Sequence, residues 1–172
     1  MKSVWTPFGR RMFYCLFFIN IKTRQVHLAG ITRRIDNQWL IEQTQKLDAV
    51  FDLKSGKAVL IRDRDIKFSK EFDKFFEDKG ISVMKIPPHS PNLNPYAESW
   101  VATVKRECLD HFLIIGEVHL EYLVKEFVNY YNSHRPHSSL DNQPINNCPV
   151  KIDGEIRARP ILGGLMHHYY RQ

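Results

Sequence analysis

The eight residues 12–19 (MFYCLFFI) are the longest apolar run in the chain, and they constrain the fold more than any other segment. Crossing a bilayer takes about twenty apolar residues, so this run cannot span one. Lys2, Arg10 and Arg11 precede it, which superficially suits a secretory leader. Yet aromatic side chains fill the run, no small-x-small cleavage site follows, and Lys22 and Arg24 come directly after. The run therefore reads as a strand buried on both faces, and such strands belong to sheets with helices packed on each side.

The neighbouring segments supply those helices. Residues 10–20 and 25–31 read as two strands joined by the polar turn Ile21, Lys22, Thr23 and Arg24. Pro7, Phe8 and Gly9 form an earlier turn, so residues 3–6 read as the end of a first strand. Asp36 is placed to cap a helix running to Phe51, with Leu40, Gln43, Leu47 and Val50 on one stripe. Residues 58–61 are a short buried strand that ends in Arg62 and Asp63. Ser69 caps the next helix, Phe72, Phe75 and Phe76 line it, Gly80 stops it, and residues 81–86 form another strand. Four prolines keep residues 87–95 out of regular structure. Two helices follow, over 96–109 and 117–132, the second with Leu120, Leu123, Val124, Phe127, Val128 and Tyr131 on one stripe. A meander followed by alternating helices and strands argues a mixed α/β sheet. In that sheet the run at 12–19 is the central strand, paired with 25–31, and 58–61 lies beside the first strand.

At 172 residues the chain is one ordinary domain, read here as a core over 1–150 and a basic tail over 151–172 that carries Arg157, Arg159 and Arg171. The net charge of +6 is unevenly spread: Lys2, Arg10, Arg11, Lys22, Arg24, Arg33 and Arg34 stand in residues 1–35, where there is no carboxylate. A basic segment of this kind suits a polyanion. Cys15, Cys108 and Cys148 are odd in number and far apart, which fits a reducing, cytoplasmic setting and no disulfide framework. No CxxC exists, and only distant Cys148 could join His134 and His137 around zinc.

Two carboxylates stand out by context. Asp63 ends a buried strand, the position where ligands of open α/β sheets collect. Glu98 falls in the first turn of the helix after the proline loop, and Lys105 lies two turns on along the same face. Such a face suits a metal ion and a phosphodiester backbone; the plain alternative is a solvated helix surface with a glutamate favoured by the helix dipole.

The runs LIRDRDIKF at 60–68, PPHSPNLNPYAE at 87–98, VKREC at 104–108 and YYNSHRPHSSL at 130–140 resemble the integrase catalytic core of bacterial insertion-sequence transposases and retroviral-type integrases. FFINIKTRQVHL at 17–28 resembles the second and third strands of that core. The resemblance covers roughly residues 1–150. It implies an RNase H-like fold, a mixed sheet with helices on both faces, and a triad of two aspartates and a glutamate that holds two Mg²⁺ or Mn²⁺ ions for DNA cleavage and strand transfer in a mobile element. The second aspartate falls on Asp63 and the glutamate on Glu98, 35 positions apart; Asp65 lies nearby but at a spacing of 33. Lys105, and more weakly Lys67, would contact DNA. His134, Arg135, Pro136 and His137 read as a brace for the last helix. The first aspartate of the triad would fall a residue or two ahead of Met1, which implies either a truncated, impaired copy or a start codon placed too late. Two rivals are a non-catalytic DNA-binding remnant and an RNase H-like nuclease. Implied partners are DNA, a further copy of the chain and a separate helix-turn-helix protein or domain, with no membrane. DNA binding carried by lysines and arginines should be sequence-independent and salt-dependent.

Overall fold

In the structure, a computed structural model, the described residues are 1–7, 9–49, 58–87, 94–146 and 152–172. The sheet is organised by β2 (Gly9–Ile19), the strand read from the long apolar run. Its first half pairs antiparallel with β1 (Lys2–Thr6), and its second half pairs antiparallel with β3 (Val26–Thr32). In the β2–β3 turn the Asn20 side-chain oxygen accepts the backbone N–H groups of Lys22 and Thr23, which closes the polar turn expected there.

The Asp36 carboxylate accepts the Trp39 N–H at 2.9 Å and so caps α1 (Asn37–Gln45). The helix gives way to a tighter 3-10 turn at Lys46–Ala49, and Val50 and Phe51 lie outside the described residues. Helix α1 crosses β3 at Gly30, where an added Cβ would meet Trp39 Cζ2 at 2.9 Å and Gln43 Oε1 at 3.0 Å, so any larger residue would have to displace these side chains. Next come β4 (Val59–Arg62), α2 (Lys70–Glu77) and β5 (Ser82–Lys85), with β4 and β5 parallel. Ser69 caps α2 through its hydroxyl, and Gly80 ends it at φ +75°. The proline loop predicted over 87–95 lies, between its ends, outside the described residues. Two longer helices, α3 (Pro95–Glu107) and α4 (Gly116–Ser133), complete the α/β layers.

Alternation along β2 builds two cores. Cys15, Phe17 and Ile19 pack with Trp100, Leu120 and Phe127 from α3 and α4. Leu16 and Phe18 pack with Leu40, Phe72 and Phe76 from α1 and α2. Helices therefore cover both faces of the sheet at β2, as expected of an α/β fold.

Two expectations need correction. First, β4 does not pair with β1: the described strands form β1–β2–β3 and β4–β5 as separate ladders. β1 starts opposite Phe13, too far along β2 to reach β4, and its outer edge is used elsewhere, with the Trp5 N–H donating to the Ile114 carbonyl at 3.0 Å. Second, β2 is not buried throughout. Phe13 is, but Met12 is 43% exposed and the rest of the run is half-buried, because one edge of β2 borders a cleft.

Residues 156–171, for which no strand is predicted, form an antiparallel hairpin, β6 (Ile156–Ile161) and β7 (Met166–Arg171). Its strands are mostly exposed, so no apolar alternation marks them in the sequence; Leu162 and Met166 at the bend anchor it in the α3–α4 core. The His168 ring stacks on His134 at the end of α4, 3.8 Å between centroids.

Burial pushes the imidazoles of His27, His134 and His137 down, and at His134 the neighbouring His168 and Arg159 push the same way. A histidine whose folded value lies below its unfolded value takes up its proton more readily when unfolded, so stability is complete above about pH 6.5 and falls as pH drops through that value. The urea midpoint should therefore be lower at pH 5.5 than at pH 7.5; equal midpoints would contradict this burial account.

Candidate active site

Asp63 follows the last residue of β4, and a buried ion pair fixes that strand end. The Arg62 guanidinium donates to both Asp73 oxygens, Nε at 2.8 Å and Nη2 at 2.7 Å, and Lys85 Nζ reaches Asp73 at 2.7 Å. Arg62 and Asp73 side chains are 8% and 7% exposed. Burial pushes the Asp73 carboxyl up, but hydrogen bonds from Lys85 and Arg62, with their charges, outweigh it and hold it below the usual carboxylate range. Arg62 Nη1 also donates to the Asp63 carbonyl at 2.7 Å. With Arg62 turned inward towards α2, the next residue of an extended chain faces outward. Asp63 is exposed, and its Oδ1 accepts the Asp65 N–H at 3.2 Å.

Glu98 stands in the first turn of α3, where the helix dipole favours a negative charge. Pro95 opens the helix, and Trp100, Thr103 and Val104 bury its inner face, which leaves Glu98 and Lys105 on the outer one. The helix start is held from the β2–β3 turn: the Arg24 guanidinium lies 3.7 Å from the centre of the Tyr96 ring. At the other end Arg135 grips Glu107 with two hydrogen bonds of 2.8 Å, and His137 Nε2 lies 2.9 Å from the Tyr131 carbonyl oxygen. Of the four residues read as a brace, Arg135 ties the end of α4 to α3, while His137 folds back on α4 itself and His134 meets the hairpin.

One cleft of about 1610 Å³ runs between β2 and β4 and reaches the start of α3. Asp63, Glu98 and Lys105 all line it, beside Lys22, Arg64 and Tyr96. Asp63 and Glu98 are both exposed, and among the described residues neither forms an ion pair. Among the described residues, too, no three His, Cys, Asp or Glu side chains gather closely enough to hold a metal. Lys67 is placed differently: its ammonium donates to both Asp65 oxygens, at 3.0 and 2.9 Å, and it does not line the cleft. Burial acts to raise Asp65, but the hydrogen bonds and charge of Lys67 lower it overall.

Sequence reasoning missed the Arg62–Asp73–Lys85 group and the Arg24–Tyr96 contact. The first left a signal: a charged residue closing the apolar run at 58–62 needs a partner, and Asp73 lies between Phe72 and Phe76 on the inner side of α2. The second left none, since it depends on how a turn and a distant helix meet.

Comparison with known proteins bears on the fold and the family. The chain superposes on a chain of the simian T-cell lymphotropic virus intasome, solved by cryo-EM in complex with the PP2A regulatory subunit B56 gamma. The TM-score is 0.58 at 12% identity, over 99% of this chain and 64% of that one. The fold is therefore the RNase H-like α/β fold of retroviral integrase. Residues 79–144, which include Glu98 and Lys105, match the family model of the integrase core domain, and together the two findings support an integrase catalytic core. No curated protein matches the chain. Among the described residues no helix is long and apolar enough to cross a membrane.

Breaking a buried pair leaves an uncompensated charge, which costs about 3–5 kcal/mol. Asp73→Ala should therefore lower unfolding free energy by that order in a denaturant titration. A loss under about 1 kcal/mol, the scale of an exposed pair, would contradict the anchoring role.

Proposed function

We propose that this chain is the catalytic core of a DNA-integrating recombinase of a mobile element, acting on phosphodiester bonds. The observation that carries the reading is that Asp63, Glu98 and Lys105, chosen from three separate sequence positions, line one cleft. The integrase core domain match over residues 79–144 and the likeness to an intasome chain support it.

Asp63 and Glu98 present hard oxygen ligands, the kind Mg²⁺ and Mn²⁺ take, and Mg²⁺ commonly takes only one or two carboxylates from a protein. They would hold the divalent ion, which when bound supplies Lewis-acid activation of water or a DNA 3′-hydroxyl and stabilises the leaving oxygen. Lys105 offers a point charge to a phosphate on the same helix face, and Lys22 and Arg64 extend the positive rim. Lys67, already bound to Asp65, would contribute to DNA binding only after leaving that partner. Strands β1, β2 and β3 contain no Asp or Glu, so residues 1–172 alone would clamp two ions poorly and transfer strands weakly.

That same shortage favours a second reading, a DNA-binding module that does not cut. The two are separated by incubating the whole chain with labelled duplex DNA in Mg²⁺ and in Mn²⁺. The catalytic reading expects weak metal-dependent cleavage or joining, abolished by Asp63→Asn and by Glu98→Gln, while Lys105→Ala weakens binding to all sequences alike. Salt-sensitive binding with no cleavage in either metal, unchanged by the carboxylate substitutions, would leave the binding module. Cleavage that survives both substitutions would refute the assignment of Asp63 and Glu98.

A further inference from the structure

Helix α3 carries Glu98 in its first turn, and that turn lacks the usual fastening. Asn94 stands at the N-cap, yet among the described residues its side chain accepts no hydrogen bond from the helix, whereas Asp36 and Ser69 cap α1 and α2. A first turn without a side-chain cap keeps its free N–H groups unsatisfied by the chain and frays more readily. Fraying there would move Glu98 relative to Asp63 in the cleft they share.

A lateral contact stands in for the cap. Tyr96, two residues before Glu98, lies against the Arg24 guanidinium, whose central carbon is 3.7 Å from the ring centre. Arg24 belongs to the β2–β3 turn, and that turn is tightly closed. The Arg24 N–H donates to the Asn20 carbonyl at 2.7 Å, the Asn20 N–H to the Gln25 carbonyl at 2.9 Å, and Thr23 Oγ1 accepts the Gln25 N–H at 3.3 Å. The turn is thus a firm platform, and its Asn20, Ile21 and Lys22 line the cleft beside Tyr96 and Glu98.

Arg24 is an unfavourable choice for the turn itself. Its φ of +68° lies in the left-handed region that glycine occupies without strain. Its Nη1 is buried and, among the described residues, has no hydrogen-bond partner. A turn needed only to reverse the chain would be better served by glycine. Strain and an unpaired donor kept together at the rim of a candidate site point to a task for the side chain. A guanidinium against an aromatic face supplies one, because it holds the ring, and with it the helix start, to the turn.

We infer that Arg24 is a positioning residue: through Tyr96 it fixes the first turn of α3 and so sets where Glu98 meets a divalent cation. The role rests on the reading of Glu98 as a cation ligand, and Arg24 itself touches neither the cation nor DNA in it.

The whole isotope-labelled chain is compared with its Arg24→Gly, Tyr96→Phe and Glu98→Gln variants. Each is read for amide exchange at residues 98–100, for its urea midpoint, and for Mn²⁺-induced broadening at residues 62–65 and 95–99. In Arg24→Gly, exchange at 98–100 and the Mn²⁺ concentration for half-broadening should each rise about tenfold. Its urea midpoint should stay at the parent's value or above it, since glycine relieves the left-handed strain. Tyr96→Phe keeps the ring and should match the parent in exchange and in Mn²⁺ response. A urea midpoint that falls in Arg24→Gly, with faster exchange throughout the chain, would reduce Arg24 to a structural turn residue and overturn the inference. So would unchanged exchange at 98–100, or an unchanged Mn²⁺ response where Glu98→Gln abolishes it. If Glu98→Gln leaves the response unchanged as well, the reading of Glu98 falls, and the inference falls with it.

Discussion

The buried contact of Arg62 with Asp73 is the constraint on which the candidate site depends. A guanidinium and a carboxylate removed from water are tolerated only with good geometry and with their remaining hydrogen-bonding capacity satisfied. Here Arg62 makes two bonds to Asp73 and a third to the Asp63 carbonyl, while Lys85 adds its charge to Asp73. The pair joins the end of β4 to α2 and, through Lys85, to β5. Its consequence for function is directional: with Arg62 committed inward, Asp63 is presented to the cleft.

The other half of the site is held by a different set of contacts. Asn132 forms a two-bond pair with the Val26 backbone, its oxygen accepting the N–H at 3.0 Å and its amide donating to the carbonyl at 2.8 Å. This fastens α4 to the start of β3 in the manner of a neighbouring strand. Arg135 then fastens α4 to the end of α3 through Glu107, and Trp100 packs among Phe17, Phe127 and Tyr131. Glu98 thus rides on a helix gripped at both ends, while Asp63 rides on a strand gripped at one. The cleft opens between these two assemblies because β2 and β4 are not bonded to each other.

Most elements were legible because their signals are local. Asp36 and Ser69 cap the helices expected of them, Gly80 ends α2, and the stripe from Leu120 to Phe127 is the buried face of α4. What the sequence hid was non-local. Whether β4 reaches β1 depends on register along β2, which no single segment encodes. The hairpin at 156–171 was invisible because it buries little beyond Leu162 and Met166. For the site, the strand end at Asp63 and the shared helix face of Glu98 and Lys105 are legible by position, while the resemblance is what distinguishes them from a solvated surface; their common cleft is non-local. Lys67 belongs to the same resemblance, and its bond to Asp65 depends on a local turn that spacing alone does not encode.

The central claim is that Asp63 and Glu98, far apart in sequence, form one cation site. Titrating the whole isotope-labelled chain with Mn²⁺ and following paramagnetic broadening of amide resonances tests it directly. The account predicts that residues 62–65 and 95–99 broaden together and first, and that Asp63→Asn and Glu98→Gln each abolish the effect at both segments. Broadening at only one of the two segments, or broadening that either substitution leaves unchanged at both, would contradict it.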